Sequence, residues 1–168
     1  MFEKFSTPEE IFSFKLGSAL TMEKELVSVL EELEEHAQRR EIKQALSEHR
    51  RQTQEHVRNV EECFRLLGEE VDDSPCPTIS AMAKEGKATI KKTDDAIVDE
   101  VILMAAGESE HHEIAVYRAL IANAQARGAS EVARLLQQNL EQEQHALQVA
   151  ETTMNAIASS GIAVAGAV

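Results

Sequence analysis

Four glutamates stand where a helical pattern calls for leucine. Apolar residues recur at spacings of three and four along three segments, and carboxylates interrupt each stripe near its midpoint. One stripe runs Leu16, Ala19, Leu20, Glu23, Leu26, Val27, Leu30, Leu33. Another runs Leu103, Ala106, Glu110, Glu113, Tyr117, Leu120, Ala124, and the last runs Val132, Leu136, Leu140, Glu143, Leu147, Ala150, Met154, Ile157. A carboxylate on a buried seam is costly unless it is protonated, paired or bound to a metal. Several at one level of a bundle repel one another, and a cation is the simplest way to satisfy them.

A further segment supplies nitrogen. Its stripe is Ile42, Ala45/Leu46, His49, Gln52/Thr53, His56, Val60, Cys63/Phe64, Leu67, polar at its centre. Carboxylate oxygen with imidazole nitrogen suits Fe(II), Mn(II) or Zn(II). The candidate metal ligands are Glu23, His49, Gln52, His56, Glu110, Glu113 and Glu143. His49 and His56 are two turns apart, about 10 Å along a helix, so both cannot bind one ion. Glu108 and His111 form a literal Glu-x-x-His, but they share the outer face of Gly107, Arg118 and Gln125 and are read as solvent-facing. His112 and His145 are read as surface residues, and His36 as a charge complementing a helix end. A metal-free reading stands beside this one. In it the glutamates hydrogen-bond to His or Tyr, the histidines are satisfied core residues, and Tyr117 is a core aromatic donating a hydrogen bond.

The elements that position these groups are long helices. Thr7-Pro8-Glu9-Glu10 reads as a helix start, with Thr at the N-cap, Pro at the first turn and Glu completing a capping box. Helices are expected over about 8–37, 41–67, 94–126 and 130–158, with stops at Gly68, Gly128 and Ser159-Ser160-Gly161 and a start at Ser130. Residues 68–93 form a crossover with a short helix near 79–84, and the small apolar tail 161–168 is expected to dock on the body or on a second subunit. Short turns make two antiparallel hairpins. The crossover is long enough to run the length of a helix, some 40 Å at ~1.5 Å per residue. The expected fold is all-α, a single domain over 1–168, with two helical hairpins joined by one long crossover in the ferritin-like arrangement of a four-helix bundle. The helix midpoints fall near residues 22, 54, 110 and 143, which brings Glu23, the His49–His56 stretch, Glu110/Glu113 and Glu143 into one layer whichever way each helix runs.

Composition narrows the function classes. The chain has 168 residues, no Trp, one Tyr, seven Gly and three Pro, a mix that favours helices. A formal net charge of −13 argues against nucleic acid and against anionic membranes as partners. The start lacks a signal-peptide pattern, no apolar run is long enough to span a bilayer, and Cys63 and Cys76 are too few for a disulfide framework. The expected location is the cytoplasm.

The run Glu110-His111-His112-Glu113-Ile114-Ala115-Val116-Tyr117 resembles the Glu-His-Tyr-Glu-Ile-Ala-x-Tyr signature of the YciE/YciF family of bacterial ferritin-like proteins. Met22-Glu23-Lys24-Glu25-Leu26 is similar to that family's Ala-Glu-Lys-Gln-Leu. Glu48-His49 with Gln52-Thr53 is similar to its His-x-x-Glu-Thr, the Leu140 to Gln144 segment to its Leu-x-Glu-Glu-Lys, and Ser80-Ala81-Met82 to a crossover motif. The resemblance covers nearly the whole chain. It implies a mostly dimeric, stress-linked protein without a settled enzymatic activity, with Glu23, His49, Glu110, Glu113 and Glu143 as site positions. The family's usual helix-two Glu is Gln52 here, and an acidic residue one turn after Glu143 is Leu147, departures that favour one metal or none over a full two-metal site. Two functions follow as expectations. One is a mid-bundle carboxylate/histidine centre for Fe or Mn, holding one or two ions and reacting with oxygen or peroxide. The other is a non-catalytic structural or interaction protein in which the polar layer sets helix register and which acts through homodimerisation or partner binding; an unrelated small-molecule binder is a third.

Overall fold

The structure, a computed structural model, describes residues 4–165, with side chains as far as Ser159. Among the described residues five helices follow one another: α1 Pro8–His36, α2 Arg40–Leu67, α3 Pro77–Ile90, α4 Val98–Ala126 and α5 Ser130–Ala165. The α1 start is the expected capping box: Thr7 Oγ1 accepts from Glu10 N at 3.2 Å, and the Glu10 carboxylate reaches back to the N-cap amide. The α2 end is Gly68 at φ 72°, a left-handed cap that only glycine adopts without strain.

The fold is the ferritin-like four-helix bundle. Helices α1 and α2 pack along their length, as do α4 and α5; α5 also lies on α2, while α1 and α4 meet more loosely and α3 packs beside both. The crossover thus carries a longer helix than the six-residue piece expected near 79–84. The buried ends Ile79 and Ile90 anchor it in the α1/α4 groove, where it gains packing that a local pattern does not reveal. Helix α4 begins at Val98 rather than 94, because Asp94 Oδ1 accepts from Ala96 N in a turn. Helix α5 runs through Ser159-Ser160-Gly161, since a single Gly costs a helix only about 1 kcal/mol and no Pro follows. The rest of the expectation for the tail, its docking, lies outside the described residues and side chains.

Two apolar clusters fill the bundle. One gathers Leu16, Leu20, Val60, Phe64, Leu120 and Leu136; the other gathers Leu30, Leu33, Ile42, Leu46, Ile102 and Ile157. Helix hairpins are tied across the second end by Asp99 of α4. Its carboxylate accepts from Gln38 N at 2.7 Å and Arg39 N at 3.1 Å, and so satisfies free amides where α2 begins. Cys63 and Cys76 are buried free thiols. Among the described residues no helix is long and apolar enough to cross a membrane.

Gly17 lets the crossover lie against α1: a Cβ there would stand 2.9 Å from Asp72 O and 3.1 Å from Ser74 N. Gly17→Ala is therefore expected to destabilise by about 1–3 kcal/mol of overpacking, more than the helix propensity it gains. Urea unfolding reads this directly, and a variant as stable as the wild type would show that the crossover does not rest on α1.

Candidate metal centre

Between the two apolar clusters lies a polar layer built by helical spacing. Residues three, four or seven apart share a helix face. On the inner faces this places Glu23 of α1, His49, Thr53 and His56 of α2, Glu110, Glu113 and Tyr117 of α4, and Asn139 and Glu143 of α5, all buried. Six of the seven candidates expected from sequence converge here. Gln52 does not. It is half-buried, and its amide lies 3.5 Å from Glu48 Oε1 on the outer side of α2, while its neighbour Thr53 takes the inner position and donates to the His49 carbonyl at 3.0 Å.

Two groups of three ligand atoms share one carboxylate. His49 Nε2 lies 2.8 Å from Glu110 Oε1 and 3.6 Å from Glu143 Oε2. His56 Nδ1 lies 2.8 Å from Glu143 Oε1 and 3.5 Å from Glu23 Oε2. Within each group, Glu23/His56/Glu143 and His49/Glu110/Glu143, the donor atoms fall within 4.8 Å of one another. Both Glu143 oxygens, Glu23 Oε2, Glu110 Oε2, Glu113 Oε2 and the Nδ1 atoms of both histidines are buried without an aligned hydrogen-bond partner. His49 Nδ1 apart, since Nε2 is the nitrogen of that ring that faces Glu110 and Glu143, these orphaned atoms fit a cation-binding centre, because buried polar atoms are almost always satisfied.

A second ring of groups aims the first. Tyr117 Oη donates to Glu23 Oε1, and Asn139 Nδ2 donates to Tyr117 Oη at 2.9 Å. Asn59 Nδ2 in turn donates to Asn139 Oδ1 at 2.7 Å. His56 Nε2 lies 2.8 Å from Gln142 Oε1, so a proton held there would stay on Nε2 if Nδ1, which faces Glu143, gave up its proton to ligate a metal, the arrangement usual for a ligating histidine.

The charges of the layer act on one another. Burial pushes the carboxyls of Glu23 and Glu143 above the usual carboxylate range against the opposing pull of His56. Burial, then the charges of Glu143, Glu110 and Glu23, holds Glu113 well above that range. Burial disfavours a charged His49, but Glu110 and then Glu143 outweigh it and raise the imidazole to about 9. The carboxylates of Glu143 and Glu23 similarly outweigh burial at His56 and raise it to about 11. Without a metal, protons on the histidines supply the positive charge that this layer demands.

The remaining histidines are not part of the layer, although His112, expected at the surface, is half-buried with its Nε2 covered and without a hydrogen-bond partner. His111 is exposed, with Nε2 3.9 Å from Glu151, and Glu108 and His145 are exposed as well, as their outward register implied. Sequence reasoning passed over Asn139, although its offsets of three from Leu136 and four to Glu143 place it on the same seam.

Residues 7–163 match the family described as a domain of unknown function, DUF892. The chain belongs to that family. The chain is also similar to protein YciF of Escherichia coli K12, 25% identical over 139 residues that cover 82% of this chain and 84% of YciF. Among solved structures, YcfI of Rhodopseudomonas palustris, to which a structural role is provisionally given, superposes with a TM-score of 0.87 at 29% identity, covering 90% of this chain and 98% of that one. The E. coli stress protein YciF superposes with a TM-score of 0.84 at 22% identity, covering 89% and 96%. These matches place the chain in the YciE/YciF group that the helix-four motif indicated.

Tyr117→Phe is expected to cost about 1–3 kcal/mol in the metal-free protein, since Glu23 loses its donor and Asn139 its acceptor inside the bundle. Denaturant unfolding measures it. A loss below about 0.5 kcal/mol would mean that water, not Tyr117, satisfies Glu23.

Proposed function

We propose that the chain is a metal-binding ferritin-like protein whose polar layer holds two Fe or Mn ions, one at Glu23, His56 and Glu143 and one at His49, Glu110 and Glu143. The observation that carries this reading is Glu143: both its oxygens are buried without an aligned hydrogen bond, and a histidine lies against each. Glu143 would belong to both ligand sets, and Glu113, which lies against it, would be a further oxygen donor or a proton carrier. Mixed carboxylate and imidazole donors accept Fe, Mn or Zn, and the first two supply redox chemistry towards oxygen or peroxide. The chain's own residues do the positioning: Tyr117 and Asn139 orient Glu23, Gln142 orients His56, and the apolar clusters on either side keep water out. The description of the E. coli relative as a stress protein supports placing this chemistry in a stress response. A homodimer is proposed on the family resemblance, to be read by sedimentation.

A second reading has its own support. The close His49–Glu110 and His56–Glu143 pairs offset part of the carboxylate charge without metal, and YcfI carries a provisional structural role. In that reading the layer sets helix register and the protein works through assembly.

Elemental analysis of untagged protein, stripped with chelator and reloaded anaerobically, separates the two. About two equivalents of Fe or Mn per chain are expected for the wild type, about one for His49→Ala or His56→Ala, and almost none for Glu143→Gln. His111→Ala should match the wild type. Uptake by Glu143→Gln equal to that of the wild type would remove the metal-centre reading.

A further inference from the structure

The two halves of the layer differ in access. Glu23, His56 and Tyr117 are sealed, whereas the His49 side chain retains 10% of its exposure. Beside it a cavity of about 300 Å³ opens between α2, α4 and α5, with His49 and Glu110 among its lining residues. Its walls are apolar: Ile42, Leu46, Leu103, Ala106, Val149 and Ala150. Exposed Glu41, Glu48 and His145 stand among its outer residues. That volume is twice the ~150 Å³ of an apolar cavity that takes up benzene, and it lies at the lower end of ligand pockets, about 300–1,000 Å³.

We infer that this cleft is a binding site for a small neutral molecule with an apolar body and a protic head group, the head resting on His49 and Glu110. Three features select that class. Six aliphatic side chains desolvate the occupant, and a charged body there would lose its hydration without a partner. His49 Nε2 and Glu110 Oε1 are spent on each other at 2.8 Å, but His49 Nδ1 and Glu110 Oε2 have no hydrogen-bond partner, and they offer a donor and an acceptor that match a group such as –OH or –OOH. The rim carboxylates of Glu41 and Glu48, on a chain of net charge −13, repel anions. The inference deepens the metal-centre reading by naming what reaches its open end, but the cleft and its floor exist without an ion.

The test uses the full chain, metal-free and metal-loaded, with 2-phenyl-2-propanol as the probe. Titration followed by amide NMR should give saturable shifts confined to the cleft, with affinity at least about tenfold above that for benzoate or for isopropylbenzene, which lack the neutral protic head. Ala146→Phe and Ala45→Phe, both on cleft-lining residues, should each weaken the alcohol about tenfold or more while leaving the melting curve cooperative. Binding retained in either folded variant, or benzoate binding as tightly as the alcohol, overturns the inference. So does the absence of saturable shifts. Metal content is measured in the same samples, so the outcomes separate: alcohol binding without metal uptake sinks only the metal-centre reading, and metal uptake without alcohol binding sinks only the cleft.

Discussion

Four carboxylates brought to one level of a helical bundle cannot all stay charged, and everything at the centre of this molecule answers that constraint. Breaking a buried pair costs roughly 3–5 kcal/mol, because an uncompensated charge remains. Here the layer is compensated from three directions. His49 and His56 bring positive charge to Glu110 and Glu143, Tyr117 donates to Glu23, and burial among its neighbours drives Glu113 towards its neutral form. Even so, oxygens of Glu23, Glu110, Glu113 and Glu143 keep no aligned hydrogen-bond partner, a deficit that a cation would relieve.

The remainder of the fold holds that layer together. The two hairpins place one helix each from α1, α2, α4 and α5 around it, and the apolar clusters above and below fix the height at which each helix presents its polar turn. Asp99 ties the α1/α2 turn to α4, and the crossover reaches back over Gly17. The result is asymmetric in access. The Glu23/His56 half is enclosed with Tyr117 and Asn139, while the His49/Glu110 half borders an apolar cleft. One shared carboxylate, Glu143, joins a sealed half to an open one.

Much of this was legible from residue spacing. Glu23, Glu110, Glu113 and Glu143 betrayed themselves by interrupting apolar stripes, and the coincidence of helix midpoints placed them in one layer before any contact was known. His49 and His56 lay far enough apart to require separate positions, and the structure gives each its own group of neighbours around Glu143. Other features were beyond local pattern. Gln52 and Thr53 are adjacent on a helix, and periodicity alone could not choose which turns inward; burial selects Thr53, whose hydroxyl satisfies itself on the His49 carbonyl. The length of α3 depends on the groove between α1 and α4, a tertiary partner that its own sequence does not announce. Asn139 carried the right spacing but a polar identity with no obvious chemistry, and its role appears only when Tyr117 and Asn59 stand on either side.

The account rests on the layer preferring a metal ion to its own protons. Thermal unfolding of chelator-stripped wild-type protein, with and without Mn(II) at about a hundredfold excess over its dissociation constant, tests this most directly. Binding to the folded state alone adds about 2.7 kcal/mol under those conditions. For a chain of this size that corresponds to a rise in Tm of roughly 5–10 °C, dependent on Mn(II) concentration. The account predicts that rise. An unchanged Tm across the Mn(II) titration would contradict it and leave the layer as a structural device that its own histidines complete.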